Sequence, residues 1–334
     1  MLIATISRAR VFARLAAATA AAMLYATAPA ATAADFPSHA VSLIVPYAPG
    51  ATTDQIARAV ADHMSRDLGQ PVVVENRTGA NGIIAATHTA QARPDGYTLM
   101  LSSDSTAVLN PLLYKKLAYD PDRDLTPVGL LTDLPLLMTV NPKLPVKTLQ
   151  EFIAYAKAHP GAVNFSSTGN GGTFHLAGEL FSQAAGIELT HVPYKGGAPA
   201  LNALIANEVQ ALFGVVGSAL PHVKAGRVRA LAVASPQRLD LLPDVPTFAE
   251  SGFEKYIVLV RYGLMAPAGT PADRIARLVD SVNKALADPK LRKTFGDLGF
   301  ILPEQTSPEH YASLIKSDRV LWADLVKRQN ISLD

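Results

Sequence analysis

The chain has 334 residues, 49% of them apolar, 17% charged and 7% aromatic. That is too apolar and too sparsely charged for a disordered chain, and long enough for two domains with cores of their own. Cysteine is absent, which excludes a disulfide scaffold, a thiolate metal site, a Cys nucleophile and a lipidated Cys anchor.

The first 33 residues carry Arg8, Arg10 and Arg14 and no acid, then an Ala-rich apolar stretch from about Leu15 to Tyr25. Ala31-Thr32-Ala33 follows as a small-x-small cleavage pattern, so the segment reads as a secretory signal peptide cleaved near Ala33. An uncleaved anchor is the alternative, but the apolar core is shorter than the ~20 residues of a bilayer span. Without these residues, 27 basic and 28 acidic residues remain, a net charge of −1. Neither nucleic acid nor an anionic membrane has an electrostatic footprint to bind. The expected compartment is the periplasm.

Strands and helices then alternate. Val41–Pro46 reads as a buried strand ending at a Pro-Tyr-Ala-Pro-Gly turn. Thr52-Thr53-Asp54 precedes Ile56, Val60, Met64 and Leu68, whose spacing marks a helix. Val72–Val74, a helix from Ile83 to about Ala92, and Tyr97–Leu101 complete a β-α-β-α-β unit with a parallel sheet. A second α/β unit spans roughly 136–250. Its expected elements are Leu136–Val140, a helix over Leu149–His159, Val163–Ser166, a helix over His175–Ala185 and Leu189–Val192. A helix after Tyr194-Lys-Gly-Gly197 and strands at Val209–Val216 and Val228–Ala234 close that unit. Tyr256–Ala266 is an apolar run expected to return to the first unit, before helices at Asp273–Ala287 and Pro308–Arg328. The chain therefore crosses between units near 134–137 and 250–256, as in two lobes on a hinge. One unbroken α/β domain is the simpler alternative.

Motifs for chemistry are mostly missing. The eight histidines show no i, i+3 or i, i+4 pair, so a His-based metal site is not expected. Asp120, Asp122 and Asp124 imitate the start of a calcium loop, but Leu125 and Leu131 stand where Gly and Glu are needed. Ser313-Leu-Ile-Lys316 satisfies Ser-x-x-Lys without its companion motifs. Neither a nucleophile elbow, a phosphate loop nor a dinucleotide fingerprint is present. No cofactor and no metal is expected, and enzymatic turnover is not.

Polar loops at strand ends are present instead, each leading toward a helix: Tyr47–Asp54, Ser102–Thr106, Ser167–Gly172, Tyr194–Gly197 and Gly214–Ser218. In open parallel sheets such carboxyl-end loops line the ligand crevice. Helix N-termini offer free N–H groups and a partial positive charge, which suits a small anion without Arg or Lys. The first loop offers Tyr47, Ala51, Thr52 and Thr53; the second Ser102, Ser103, Asp104 and Ser105. The third offers Thr168, Gly169, Asn170 and Gly171, with His175 just beyond; the fourth Tyr194 and Gly196; the fifth Val216 and Gly217.

The same loops carry a resemblance. Leu43-Ile-Val-Pro-Tyr-Ala-Pro-Gly50, Gly69-Gln-Pro-Val-Val-Val-Glu-Asn-Arg77, Pro94-Asp-Gly-Tyr-Thr-Leu99 and Gly169-Asn-Gly occur in order. His175-Leu-Ala-Gly-Glu-Leu-Phe181, His191-Val-Pro-Tyr-Lys-Gly-Gly-Ala-Pro-Ala200, Leu242-Pro-Asp-Val-Pro-Thr247 and Tyr262-Gly-Leu-Met-Ala-Pro-Ala-Gly-Thr-Pro271 follow. Over essentially the whole chain after residue 33, the sequence resembles a Bug-type solute receptor of the tripartite tricarboxylate transporter family. The resemblance implies an α/β, two-lobed type II periplasmic-binding-protein (Venus flytrap) fold, with a mixed, mainly parallel sheet in each lobe. Lobe 1 would comprise 34–134 and 254–334, and lobe 2 would comprise 135–253. It also implies capture of a small mono- or dicarboxylate, aromatic acids included, by a monomer that delivers it to membrane permease subunits. One carboxylate would be held by main-chain N–H groups, loop hydroxyls and water.

Two departures from the family pattern matter. Ala51 stands where relatives commonly have Gly, adding a methyl group that a left-handed backbone disfavours. Arg261 stands where relatives often have Trp. It either pairs with a second ligand carboxylate or makes a salt bridge, with Asp104 as one partner. Asp104 either binds a ligand amine or hydroxyl or caps a helix, and His175 either touches ligand or anchors its helix. Tyr47 and Tyr194 either meet an organic acid or pack at a lobe edge, and Asp54 is expected to act as a cap or to orient the first loop. A sensing adaptor for a membrane kinase and an enzyme on the same fold are the alternative functions.

Overall fold

A computed structural model describes residues 36–50, 52–328 and 332–333. The segment expected to be a signal peptide and Ala51 lie outside the described residues. The described residues from His39 onward form one compact unit.

The first unit opens with β1 (Val41–Val45), α1 (Thr52–Leu68), β2 (Val72–Asn76), α2 (Ile83–Ala90) and β3 (Thr98–Ser103). Helix α1 buries Ile56, Ala57, Val60, Met64 and Leu68, the face that its i, i+4 pattern predicts. β1 pairs in parallel with both β2 and β3. After β3 the backbone makes a π-helical turn over Ser105–Leu109, continued by α3 (Asn110–Leu113).

β4 (Leu125–Val140) is the spine of the molecule. Its 16 residues span about 50 Å at the usual strand rise. From Leu125 to Pro135 it pairs antiparallel with β9 (Leu259–Pro267), and from Leu136 to Val140 with β7 (Ala211–Val215). The register shifts between Pro127 and Gly129, and again between Leu130 and Thr132. Sequence reading finds only the last five residues of this strand, because Pro127 and Gly129 interrupt the alternation.

The second unit adds α4 (Leu149–Ala158), β5 (Asn164–Ser167), α5 (Thr173–Ala185), β6 (Thr190–Pro193), α6 (Gly197–Ala206), α7 (Val216–Lys224) and β8 (Arg229–Val233). β5 pairs in parallel with β6 and β7, and β8 runs antiparallel to β4. Phe152, Phe165, Phe181, Phe213 and Phe248 are fully buried there. β9 then returns to the first unit, antiparallel to β3. The chain ends with α8 (Ala272–Ala287), α9 (Pro289–Gly296) and α10 (Pro308–Arg328). The strand order is β2-β1-β3-β9-β4-β7-β5-β6, with β8 also on β4. This is a mixed α/β fold whose two sheets share β4.

Gly263 lies where β9 is crowded from both sides. A Cβ there would lie 2.4 Å from the Tyr311 ring and 2.7 Å from the Gly129 carbonyl oxygen. The glycine lets three elements meet behind the strand-end loops.

Candidate functional site

The strand-end loops enclose a cavity of about 720 Å³, within the size range of small-molecule sites. One wall comes from the first unit: Tyr47, Thr52 and Thr53 beside β1, Ser103, Asp104 and Ser105 after β3, and Tyr262 on β9. The facing wall comes from the second unit: Thr168, Thr173 and Phe174, then Lys195 to Pro199, and Gly214, Val215 and Ser218. Helices α5, α6 and α7 begin at Gly172, Gly196 and Val215 without a side-chain cap. Their first turns therefore keep N–H groups with no intrahelical partner beside the cavity. Helix α1 adds Thr52 and Thr53 from its own first turn.

The first loop is held from behind by Asp54, which is 2% exposed. Its Oδ2 accepts from Gly50 N–H at 2.9 Å and Arg58 Nε at 2.8 Å, and its Oδ1 from Asn76 Nδ2 at 2.9 Å. The same Asn76 amide donates to the Tyr47 carbonyl at 2.9 Å. The bond from Arg58, with those from Gly50 and Asn76, lowers the carboxyl to about 2 against the burial that opposes it. Asp54 orients the loop, as its position in sequence suggested. Tyr47 Oη lies 3.0 Å from Ser103 Oγ, and Thr53 Oγ1 donates to Tyr262 Oη at 3.4 Å.

The third loop is held by imidazoles. Gly171 N–H donates to His175 Nδ1 at 3.1 Å, and His191 Nε2 lies 2.6 Å from Ser167 Oγ, which accepts from Gly169 N–H at 3.1 Å. The two rings stack with centroids 3.8 Å apart, beside Phe165. Burial lowers both to about 4, so both are neutral at pH 7.

The cavity brings together Tyr47, Thr52, Thr53, Ser103, Asp104, Ser105, Thr168 and Gly196 of the sequence candidates. The others lie elsewhere, each for a physical reason. Arg261 does not line the cavity; its guanidinium faces the opposite side of β9. There Nη1 donates to both oxygens of Asp133 at 3.0 and 2.9 Å, and Nε donates to Asp318 Oδ2 at 2.5 Å. Asp104 meets this residue through the main-chain N–H of Arg261, at 3.0 Å. Ser102 is fully buried with its hydroxyl 3.1 Å from Thr106 Oγ1. Gly169, Asn170 and Gly171 form the loop behind Thr168 without lining the cavity, and His175 anchors that loop from below. The Tyr194 hydroxyl points to Glu208 at 3.5 Å. Val216 packs with Leu137 and Val233 in the core, and a Cβ on Gly217 would lie 2.9 Å from the Leu298 carbonyl oxygen.

Sequence reasoning missed Tyr262, Thr173, Phe174, Lys195, Asn81, Ser218 and His222, all on the cavity wall. Strand alternation carried a signal for the first of these. Neighbours on a strand point to opposite faces, so an outward Arg261 puts Tyr262 inward. Lys195 lies within the His191–Ala200 motif, between the candidates Tyr194 and Gly196. It is exposed, and among the described residues it makes no hydrogen bond or ion pair.

Strand-end loops and helix N-termini gathered around one cavity, on two sheets joined by a shared strand, define the two-lobed class of periplasmic binding proteins. The comparisons agree at the level of the family. The model described as tripartite tricarboxylate transporter family receptor matches residues 56–331, and the chain belongs to that family as a Bug-type member. It is 36% identical to protein BugT of Bordetella pertussis over 299 residues, covering 89% of this chain and 91% of that one. Among solved structures, a periplasmic transporter matches with TM-score 0.81 and 44% identity, covering 90% of this chain and all of that one. Rpa4515 of R. palustris, solved with adipate, matches with TM-score 0.81 and 33% identity over 89% and 99% of the two chains. MatC of Rhodopseudomonas palustris, solved with bound malate, matches with TM-score 0.78 and 37% identity over 87% and 100%.

Proposed function

We propose that this chain is an exported receptor that captures a small organic carboxylate in the cavity and delivers it to a membrane permease. The observation that carries this reading is the convergence of uncapped helix starts on the cavity wall. Each helix start contributes about 0.3–1 kcal/mol toward an anion, and charge-assisted hydrogen bonds add about 1.5–3 kcal/mol each. Lys195, the only Lys or Arg on the described cavity wall, is placed to meet a second acidic end. The bound adipate and malate of the two relatives support the same ligand class.

In this reading lobe 1 comprises 34–134 and 254–334 and lobe 2 comprises 135–253. Contacts from both lobes to one ligand favour the closed form, and only that differential affinity drives closure. The closed monomer is the form presented to the permease, and no bond is made or broken in the cavity. A thermal-shift screen of mono- and dicarboxylates on residues 34–334 tests the proposal. Ligands at 100 times Kd add about 2.7 kcal/mol of stability and a clear rise in melting temperature. No shift with any acid of a broad panel would refute it.

A further inference from the structure

Asp104 is a carboxyl group without a cation of its own. It is 3% exposed and stands on the cavity wall. Among the described residues its oxygens have two partners, the main-chain N–H of Arg261 at 3.0 Å and the Thr173 hydroxyl at 3.4 Å. The nearby guanidinium of Arg261 is already divided between Asp133 and Asp318. One positive charge thus serves two carboxylates before Asp104 is counted.

The remaining groups around Asp104 do not supply the missing charge. Tyr47 faces it from the loop after β1, Tyr262 from β9 and Tyr311 from α10. Lys195 shares the cavity from the opposite wall and is exposed to solvent. Burial, reinforced by the charges of Asp318 and Asp133, pushes the Asp104 carboxyl well above the usual range, with Arg261 opposing. A carboxylate ligand beside an ionised Asp104 would place like charges together where Asp104 is itself shielded from water, which is unfavourable for both. A protonated Asp104 instead offers an O–H donor.

Building on the carboxylate reading of the cavity, we propose that Asp104 holds the ligand as the neutral acid, donating a hydrogen bond to it. Each anion captured where Asp104 is ionised in the free protein draws one proton from solvent onto this residue. Thr173, which reaches Asp104 from the facing unit, keeps the carboxyl turned toward the cavity.

The experiment is calorimetric titration of residues 34–334 with adipate and malate, from about pH 6.5 to about pH 9, where both acids are ionised. Two buffers of different ionisation heat count the protons. Affinity is flat where free Asp104 already carries its proton and falls by up to about tenfold per pH unit above that point. Over the same interval, proton uptake climbs from near zero to about one per ligand. Asp104→Asn abolishes both the slope and the uptake. His222, also on the wall, is lowered by burial and by Arg227, so it titrates below this interval and adds no slope to it. Where the wild type shows flat affinity and no uptake across the interval, Asp104→Asn decides. Affinity within a few-fold of the wild type supports a carboxyl already neutral in the free protein. Clearly tighter binding by the variant overturns the proposal by revealing an ionised one, and so does a slope retained by Asp104→Asn. Preference for an amino acid over its deaminated counterpart at high pH overturns it too, by assigning an ionised Asp104 to an ammonium group. Binding without proton linkage leaves the receptor reading standing; failure of every acid to bind removes both.

Discussion

The two walls of the cavity solve one problem with opposite chemistry. On the first wall an ionised carboxylate, Asp54, gathers the Gly50 amide, the Asn76 amide and the Arg58 guanidinium behind the loop. On the second wall two neutral stacked imidazoles receive the Gly171 amide and position Ser167. A charged anchor is costly to desolvate but strong once fully bonded, whereas a neutral ring packs into the phenylalanine-rich core beside Phe165 without a counter-ion. The difference explains why one loop is tied by residues four and 22 positions apart on the surface of its helix and strand, and the other from inside the core.

The contrast is sharpest in the response to deletion and to acid. Asp54→Ala strands the Asn76 amide and the Gly50 N–H together and is expected to cost about 3 kcal/mol in chemical denaturation. It should also weaken ligand binding more than any single change at the other wall. Acid separates the walls by pH window. The histidines fold neutral and protonate readily when unfolded, so their contribution is full above about 6.5 and is lost as pH falls toward 4. Asp54 is lowered in the fold, so its contribution is present above the ordinary carboxylate range and is lost as pH falls toward about 2. A stability–pH profile should therefore fall in two stages, the histidine stage worth about 3 kcal/mol per ring. His175→Leu should erase about half of the upper stage, its own share, and leave that of His191 and the lower stage. It should itself cost about 1–2 kcal/mol at pH 7 by orphaning the Gly171 N–H. A single-stage profile would break the comparison.

Smaller effects test the edges of the walls. Lys195→Gln is expected to weaken dicarboxylates about tenfold and monocarboxylates little, about 1.4 kcal/mol of discrimination, read by calorimetry on paired ligands. Equal losses would remove Lys195 from recognition of a second acidic end. Tyr194→Phe, whose hydroxyl meets Glu208 only at 3.5 Å and away from the cavity, should change stability by less than about 0.5 kcal/mol and affinity not at all.

Much of this architecture was legible in the sequence, because the apolar spacing of α1 and the short runs of β1, β5 and β7 have one structural solution each. The return of β9 to the first sheet was legible for the same reason. The first 11 residues of β4 were not, since Pro127 and Gly129 hide a strand that accommodates them with two register shifts. Helix α7 was expected after the Gly214–Ser218 loop but begins inside it, at Val216, because Gly217 near its start and Pro221 within it hide where the helix begins. In the site, residue type predicted the loops but not the facing of side chains. Arg261 belonged to the right motif and turned outward, because Asp133 on β4 and Asp318 on α10 offer it two carboxylates at once. Those partners lie 128 and 57 positions away in the chain, beyond the reach of local pattern. The histidine stack was invisible for the same reason, being a contact between α5 and β6.

The claim on which the account turns is that an acid occupies the cavity between the two walls. Titration of residues 34–334 and of Ala198→Trp, whose indole would intrude on the cavity from the first turn of α6, tests it directly. The wild type should bind one dicarboxylate per chain, and a variant that melts within a few degrees of it should bind at least about tenfold more weakly. Undiminished binding by that folded variant would contradict it.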